Sequence, residues 1–196
     1  MTLIRKAKPQ ESTIIANYIF LAMEEIAYNF IGEQSKEKAI QFLDSLIKED
    51  NNQYSYENCW VVAIENEIIA AALVYDGSRL NELRIPVSNR IKSIYQNNFN
   101  PEDETQAGEY YIDCIGVNPN QQGKGIGSKI LQFLIEEYVY KRRETLGLLV
   151  DTDNPNAQKL YLNLGFEVVG QKTFVGKTMN HLQVKPMPKN EHNSID

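Results

Sequence analysis

The segment YYIDCIGVNPNQQGKGIGS, residues 110–128, decides the fold of this 196-residue chain. Tyr110–Val117 predicts a strand, Gln122–Gly127 is a glycine-rich turn, and apolar residues at helical spacing predict a helix over about Gly127–Arg142. Glycines let backbone N–H groups approach a ligand closely, and the free N–H groups at a helix N-terminus favour a phosphate. The segment therefore predicts either a phosphate-binding loop or an ordinary glycine-rich turn.

Two common nucleotide-binding loops do not fit these glycines. A P-loop requires Ser or Thr after its lysine, whereas Lys124 is followed by Gly125. The dinucleotide fingerprint fits Gly123 and Gly125 but meets Ser128 at its third glycine position, and that fold needs a second mononucleotide-binding half. Residues 129–196 hold only one more helix pattern and a terminal hairpin, so they leave too little room for that second half.

A second motif lies downstream, beyond a predicted buried strand at Leu146–Val150. Asn154 suits the N-cap of a helix, Pro155 suits its first position, and Gly165 suits its end. Between them the apolar positions of one helix face are Ala157, Leu160, Tyr161 and Leu164.

Together the two motifs resemble motifs A and B of the GNAT superfamily of N-acetyltransferases. In motif A a strand ends in a Val-x-Pro turn, here Val117–Pro119, followed by [Arg/Gln]-x-x-Gly-x-[Gly/Ala], here Gln122–Gly127. Motif B is matched by Asn154–Phe166. Gln122 stands where Arg is more common, so it keeps hydrogen bonding but lacks the charge. The close resemblance covers about Tyr110–Val169, and the N-terminal half matches only in the order of its elements.

The resemblance implies an α/β fold with a GNAT-like mixed β-sheet of six to seven strands and about four flanking helices. The sheet is expected to be splayed open between the strands that end at Val117 and Val150, with acetyl-CoA in the opening. The pantetheine arm would pair with the backbone of Ile115 and Val117, and the pyrophosphate would lie on the loop amides. No metal is expected, because the sequence has no Cys/His spacing typical of a metal site. The implied cofactor-binding residues are Ile115, Gly116, Val117, Gln122, Gly123, Lys124, Gly125, Ile126, Gly127, Ser128 and Asn154.

The resemblance also implies the catalytic groups. Tyr161 matches the family tyrosine that donates a proton to the departing thiolate, although its place on an apolar helix face also suits a core residue. A backbone N–H near Ile115 would polarise the thioester carbonyl. Asp113 stands in the strand where relatives often carry an acidic base, and burial would raise its pKa into a useful range. Pairing of Asp113 with a neighbouring side chain is the alternative.

Upstream of these motifs, the sequence pattern matches the family only in element order. It predicts a strand at Thr2–Lys6, a helix from about Ser12 to Phe30 and a second helix from Ser35. The β-branched runs Cys59–Glu65 and Ile68–Tyr75 predict a hairpin.

Residues 76–108 interrupt this pattern and are predicted to be an inserted loop region. They contain Pro86, Pro101 and a short possible helix around Asn89–Gln96. A long connection is more often functional than structurally necessary, so we expect it to form a wall of the acceptor site. The acidic run Glu102–Glu104 could attract a cationic amine, or it could be an ordinary solvated loop.

Composition limits the remaining possibilities. The chain has a formal net charge of −6, with 42% hydrophobic and 23% charged residues, which argues against nucleic acid as a partner. We expect no membrane span, no signal peptide and a cytoplasmic protein, in which Cys59 and Cys114 are free thiols. Residues 1–185 are predicted to form a single domain, and 186–196 a mobile tail. The oligomeric state expected is a monomer or a homodimer.

The function expected is direct transfer of an acetyl group from acetyl-CoA to a primary amine, without a covalent acyl-enzyme. The acceptor would be a small-molecule or peptide amine. The alternative is a non-catalytic acyl-CoA-binding or regulatory module that has kept the phosphate loop. Binding of CoA would agree with both possibilities, whereas turnover with an amine would agree only with the enzyme.

Overall fold

A seven-stranded sheet with helices on both faces forms the fold in the computed structural model, which describes residues 2–187. The predicted tail falls almost entirely outside that range. The strands are β1 (Thr2–Lys6), β2 (Cys59–Ile64), β3 (Glu67–Asp76), β4 (Tyr110–Val117), β5 (Leu146–Asp151), β6 (Glu167–Phe174) and β7 (Lys177–Val184). The α-helices within residues 2–187 are α1 (Ser12–Ala22), α2 (Glu24–Ile31), α3 (Lys36–Ile47), α4 (Leu80–Tyr95), α5 (Ile126–Leu134) and α6 (Pro155–Asn163).

The strand order is β1-β2-β3-β4-β5-β7-β6. All neighbours are antiparallel except β4 and β5, which are parallel. Parallel neighbours need a crossover connection, and the chain provides it through α5. The predicted mixed α/β sheet is therefore confirmed.

The central strand β3 explains why both faces of the sheet are covered. Its residues Ile68–Tyr75 are all buried, as expected for a strand packed on both sides. Because successive side chains point to opposite faces, Ala71 and Leu73 join the core beneath α1–α4, while Ala70 and Ala72 join the core beneath α5. The sheet is the middle layer of three.

The predicted helix from Ser12 to Phe30 is two helices in the structure. α1 and α2 meet at Met23, whose φ of −140° is not helical, and their axes differ by 107°. The apolar residues continue at helical spacing across this bend, and no Gly or Pro marks it, so the sequence pattern could not reveal it. The bend lets α1 lie on β4 while α2 packs on α3 and α4. Within residues 2–187 no single helix is long and apolar enough to span a bilayer; only α1 and α2 together reach that length and composition.

The region predicted as an inserted loop contains a long helix. α4 spans 16 residues, where only a short helix around Asn89–Gln96 was predicted. Pro86 lies inside α4 on its exposed side, where the carbonyl that lost its N–H partner can face water. In the same turn the Leu83 carbonyl accepts a hydrogen bond from Gln53 N–H at 2.9 Å. α4 buries Leu80, Leu83, Val87 and Ile91. Together with the break at Met23, it raises the number of flanking α-helices to six, above the predicted four.

A buried polar cluster stands at the base of β4 and β5. The Glu109 carboxylate accepts hydrogen bonds from Thr105 Oγ1 at 2.8 Å and Gln183 Nε2 at 2.7 Å, and lies 2.8 Å from His181 Nε2. Burial alone would raise the pKa of Glu109, but these hydrogen bonds outweigh it and lower the pKa below its ordinary value. The carboxylate reaches this position only because Gly147 has no side chain: a Cβ there would lie 2.0 Å from Glu109 Oε2.

We predict that Gly147→Ala destabilises the fold by about 1–3 kcal/mol, the usual cost of overpacking a well-packed site. The new methyl group would push the Glu109 carboxylate away from its three hydrogen-bond partners. The midpoint of urea unfolding, at unchanged m, measures this loss. Gly170→Ala is the matched control, since a Cβ in that strand meets open space. Equal midpoints for Gly147→Ala and Gly170→Ala would contradict the prediction.

Candidate active site

The sheet opens between its two parallel strands. β4 and β5 pair at only three positions, from Tyr110 opposite Leu146 to Ile112 opposite Leu148. Both strands continue beyond this point, and β4 remains paired with β3 as far as Val117. The edge of β4 that faces the opening therefore carries backbone N–H and C=O groups with no partner in the β4–β5 ladder. This confirms the splayed sheet at the position expected from the sequence.

The glycine-rich turn lies at one end of this opening, directly before α5. Gly123 and Gly125 both adopt φ of 75°, the left-handed region that favours glycine, and Gly125 is the N-cap of α5. A Cβ at either glycine would meet no protein atom within 4 Å, so it would project into open space at the helix N-terminus. The free amides of the first turn of α5 are thus accessible to an anion.

The loop and α6 face each other across an open groove of about 270 Å³. Leu160 of α6 lines it opposite the glycines, so motifs far apart in the sequence meet here. Gln122 is exposed and its Nε2 donates to the Val117 carbonyl at 3.4 Å, while the Lys124 side chain contacts Gln121. The residues that line the groove are Val117, Gln121, Gln122, Gly123, Gly125, Ile126, Gly127, Ser128 and Leu160.

The close contact between α1 and β4 requires glycine at position 116. A Cβ at this position would lie 1.9 Å from the Tyr18 carbonyl oxygen, so only glycine lets α1 approach β4 this closely. Its neighbours Ile115 and Val117 are half-buried and pack against the core beneath α5. The structure thus places Ile115 and Val117 along the opening and explains Gly116 by the contact with α1.

The two motif B residues lie on α6. Asn154 Oδ1 caps the helix by accepting from Ala157 N–H at 3.1 Å, which leaves its amide nitrogen as the group available to a ligand. Tyr161 is half-buried, and its ring packs edge-on against Phe166 with centroids 5.9 Å apart. Burial raises the pKa of the Tyr161 phenol, so it stays protonated at neutral pH and can donate a proton.

Asp113 is the extra residue of a β-bulge in β4. The ladder with β3 pairs Cys114 with Leu73 and Ile112 with Val74, leaving Asp113 without an opposite residue. The Asp113 Oδ2 atom accepts from Gln53 Nε2 at 3.0 Å and contacts Tyr75 Oη at 3.1 Å. Burial, and then the charge of Glu104, raise the pKa of Asp113 to about 7. Asp113 therefore has the raised pKa that would suit a base, and it is also paired with neighbouring side chains, which was the alternative from the sequence.

The second carboxyl beside Asp113 comes from the segment that follows α4. Glu104 is buried, and its Oε1 atom accepts from Gln53 Nε2 at 2.8 Å and from Tyr75 Oη at 2.9 Å. Its other oxygen accepts from Arg84 of α4, whose guanidinium also donates to Asp103 Oδ1 at 2.9 Å. Glu104 therefore does not belong to an exposed acidic run: it is a buried partner of Arg84.

Sequence reasoning missed Gln53 and Tyr75 as neighbours of Asp113, and Arg84 as the partner of Glu104. Gln53 lies 60 residues from Asp113 in the chain, and Tyr75 lies 38 residues away. Each sits in a stretch whose local pattern gives no sign of a shared cluster. The one available signal was Tyr75 at the end of the predicted strand Ile68–Tyr75. It predicts that this side chain is buried, but not that it contacts Asp113.

A second, wider groove of about 830 Å³ lies between α2, residues 97–102 and the turn between β6 and β7. Its carboxylates are Glu25, Glu33 and Glu102. Lys177 contacts Glu25 at 2.9 Å, and Glu102 Oε2 accepts from the Val175 N–H at 3.0 Å. Residues 97–102, which belong to the region 76–108 predicted as an acceptor wall, thus line a groove. Among residues 2–187, no group of three or more His, Cys, Asp and Glu side chains could hold a metal ion.

Comparison with known proteins decides the family. The sequence model of the acetyltransferase (GNAT) family matches residues 23–166, most of the chain. The chain belongs to the GNAT acetyltransferase family. The resemblance of the two motifs is thereby confirmed, and the matched region also includes α2–α4, where the sequence patterns were weak.

Curated GNAT relatives match a shorter stretch. The N-alpha-acetyltransferase RimI of Mycobacterium tuberculosis is 42% identical over 62 residues, which is 32% of this chain and 37% of the relative. The spermine/spermidine N(1)-acetyltransferase of Bacillus subtilis is 30% identical over 78 residues, 39% of this chain and 51% of the relative. These matches span about a third to a half of the relatives' own lengths.

Solved structures match almost the whole chain. A crystal structure of an acetyltransferase superposes with a TM-score of 0.79 at 29% identity, covering 93% of this chain and 98% of the other. An N-acetyltransferase from Staphylococcus aureus Mu50 gives the same TM-score at 22% identity, covering 93% and 100%. At 22% identity, the similarity to the second structure shows only that the two chains share a fold.

Proposed function

We propose that this GNAT protein transfers an acetyl group from acetyl-CoA directly to a primary amine of a small molecule or peptide. The observation that carries the proposal is the parting of β4 and β5 after Ile112, next to the glycine-rich turn at the start of α5. An opening edged by unpaired strand backbone suits an extended amide-bearing chain. A helix N-terminus with two left-handed glycines suits a pyrophosphate.

The residues present fit acetyl-CoA. Backbone groups of Ile115 and Val117 would pair with the pantetheine arm, the amides from Gly123 to Ser128 would hold the pyrophosphate, and Asn154 Nδ2 would contact the pantetheine. Open space beside Gly123 and Gly125 supports this role, because any side chain there would occupy the approach of the phosphates. Several converging amides can bind an anion without a basic patch, in agreement with the net charge of −6.

Three groups would carry the chemistry. Asp113, with a pKa raised to about 7 by burial and by the charge of Glu104, can take a proton from an ammonium group near neutral pH. A β4 amide near Ile115 can stabilise the oxyanion of the tetrahedral intermediate. The protonated Tyr161 phenol can give its proton to the departing thiolate.

Transfer would be direct, because the two cysteines are poor nucleophiles. The thiolate is the reactive form of cysteine. Burial raises the pKa of Cys59 to about 12, and burial together with the charge of Asp113 raises the pKa of Cys114 well above its usual range. Neither thiol would ionise at neutral pH, so an acetyl-cysteine intermediate is disfavoured and attack of the amine on the thioester is favoured.

Residues 97–102 would form part of the acceptor wall. They line the wider groove, which carries carboxylates and opens beside the turn between β6 and β7. Glu25 and Glu33 are already paired with Lys177 and Lys38, so the carboxylate that would attract a cationic acceptor is that of Glu102. Glu104 is excluded from this role by its burial against Arg84, so replacing the whole run Glu102–Glu104 by Ala would disturb the fold rather than test the acceptor site.

The acceptor wall is tested by Glu102→Gln. Removing one exposed charge from a groove typically changes binding by about 0.2–1 kcal/mol, so the KM for a cationic amine should rise by up to about fivefold. The affinity for CoA should not change. Steady-state kinetics in the amine and calorimetric titration of CoA measure the two quantities. Glu167→Gln, which removes the same charge from exposed β6, is the control; equal amine KM values for both variants would exclude Glu102 from the acceptor wall.

The proposed activity is tested by following thiol release from acetyl-CoA with a panel of primary amines, including polyamines and peptides with free N-termini. Release that depends on an amine, with acetylated amine identified by mass spectrometry, supports the transferase. Tight CoA binding without amine-dependent release would instead support a non-catalytic acyl-CoA-binding module.

A further inference from the structure

Asp113 and Glu104 share the same two hydrogen-bond donors. Gln53 Nε2 lies 2.8 Å from Glu104 Oε1 and 3.0 Å from Asp113 Oδ2, and Tyr75 Oη lies 2.9 Å and 3.1 Å from the same two atoms. An amide nitrogen has two protons and can serve both carboxyl groups. A phenol has one proton, so Tyr75 can donate to only one of them at a time.

This proton count favours a cluster that holds one additional proton. With both carboxyl groups ionised, one of the two contacts of Tyr75 Oη would place lone pairs against each other. With a proton on Asp113, the Asp113 O–H donates to Tyr75 Oη, and Tyr75 O–H donates to Glu104 Oε1. Both contacts of Tyr75 Oη with the carboxyl groups then hold one proton each, and the charge left on Glu104 is paired with Arg84. The two Gln53 protons serve the carboxyl groups, so the 3.1 Å contact between Gln53 Nε2 and Tyr75 Oη has no proton of its own.

We propose that Glu104, held in place by Arg84, is a positioning residue for Asp113, and that the two carboxyl groups bind one proton between them through Tyr75. Only the consequence of this arrangement for catalysis rests on the proposed function. In that reaction Asp113 would accept the proton of the acceptor ammonium, leaving a neutral amine with a free lone pair.

Among residues 2–187, the other groups around Asp113 do not carry a charge that could replace Glu104. The titratable neighbours on β2, β3, β4 and the segment before β2 are phenols and thiols whose pKa values are raised by burial, so they are neutral near pH 7. Arg84 contacts Glu104 rather than Asp113. These neutral neighbours are Tyr54, Tyr75, Tyr111, Cys59 and Cys114.

The test is an NMR titration of the Asp113 carboxyl carbon in protein with isotope-labelled aspartate, with the resonance assigned by Asp113→Asn. In the wild type, the midpoint should lie near neutral pH. In Glu104→Gln, loss of the neighbouring negative charge should lower the pKa of Asp113 by at least about one pH unit. Glu82→Gln, which removes a charge from the exposed side of α4, should leave the midpoint unchanged. A midpoint in Glu104→Gln equal to that of the wild type would overturn the proposal.

A double variant and a kinetic measurement complete the test. If Glu104→Gln fails to fold because Arg84 loses its buried partner, the double variant Arg84→Met/Glu104→Gln removes both charges. The same lowering is expected there, because the nearer carboxylate dominates at Asp113, and an unchanged midpoint would again overturn the proposal. If the wild type transfers acetyl groups, the pH profile of kcat/KM should also respond to Glu104→Gln. Its acidic limb should shift to lower pH in the variant, in step with the lower pKa of Asp113. If the wild type shows no transfer, the proposed function fails, while the titration still decides the role of Glu104.

Discussion

Tyr161→Phe is expected to lower kcat by about 10²–10⁴-fold at neutral pH, the usual contribution of a general acid. The phenol is the group on α6 that can protonate the departing thiolate, and burial raises its pKa so that it remains protonated through the neutral range. Phenylalanine keeps the ring and its edge-on contact with Phe166. Folding and CoA affinity should therefore stay close to the wild-type values, and the loss should appear in kcat.

Stopped-flow or steady-state measurement of thiol release, together with CoA titration, separates these effects. Tyr140→Phe is the matched control, since Tyr140 is 52% exposed and lies in the π-helical segment Ile135–Lys141 that follows α5. An unchanged kcat in Tyr161→Phe would mean that Tyr161 is a core residue only and that the thiolate receives its proton from water.

Gly125→Val is expected to weaken CoA binding by about 10- to 100-fold. Hydrogen bonds to charged groups are each worth about 1.5–3 kcal/mol, and the valine side chain would project into the approach to the α5 amides. The substitution also forces a β-branched residue to adopt φ of 75° or to leave that conformation, which moves the loop amides. No protein atom lies within 4 Å of the new Cβ, so the core is not disturbed.

Calorimetric titration of CoA into the folded variant measures this loss. Gly108→Val is the matched control, because Gly108 has φ of 95°, open space around its Cβ and a position outside the loop. It should cost stability through the same backbone strain and leave CoA affinity unchanged. Wild-type affinity in Gly125→Val would remove the glycine loop from the binding site.

The parts of the fold that local chemistry specifies could be predicted from the sequence. Gly125 before α5, and Asn154 and Pro155 at the start of α6, occupy the positions that helix ends require. The runs Cys59–Glu65 and Ile68–Tyr75 indicated a hairpin, and β2 and β3 form it as an antiparallel pair. These short-range signals place the loop, the cleft strand and α6, which are the elements that frame the opening.

The parts that depend on distant contacts could not be predicted. Pro86 reads locally as a helix breaker, yet α4 tolerates it because the affected side is exposed and the Leu83 carbonyl bonds to Gln53. Glu104 resembles its exposed neighbours in the acidic run, and only the fold brings it to Arg84 and Tyr75. The environment of Asp113 is therefore a tertiary property, although its position in β4 could be anticipated.

Residue-resolved hydrogen exchange with and without CoA tests whether acetyl-CoA binds where β4 and β5 separate. We expect CoA to slow exchange of amides in Asp113–Val117, where it would supply partners that the β4–β5 ladder lacks. It should also slow exchange of the amides in Gly123–Ser128. Amides of β1 and β2, on the far side of the sheet, should change little. If saturating CoA leaves exchange in β4 and the glycine loop unchanged but protects another surface, acetyl-CoA does not bind in this opening.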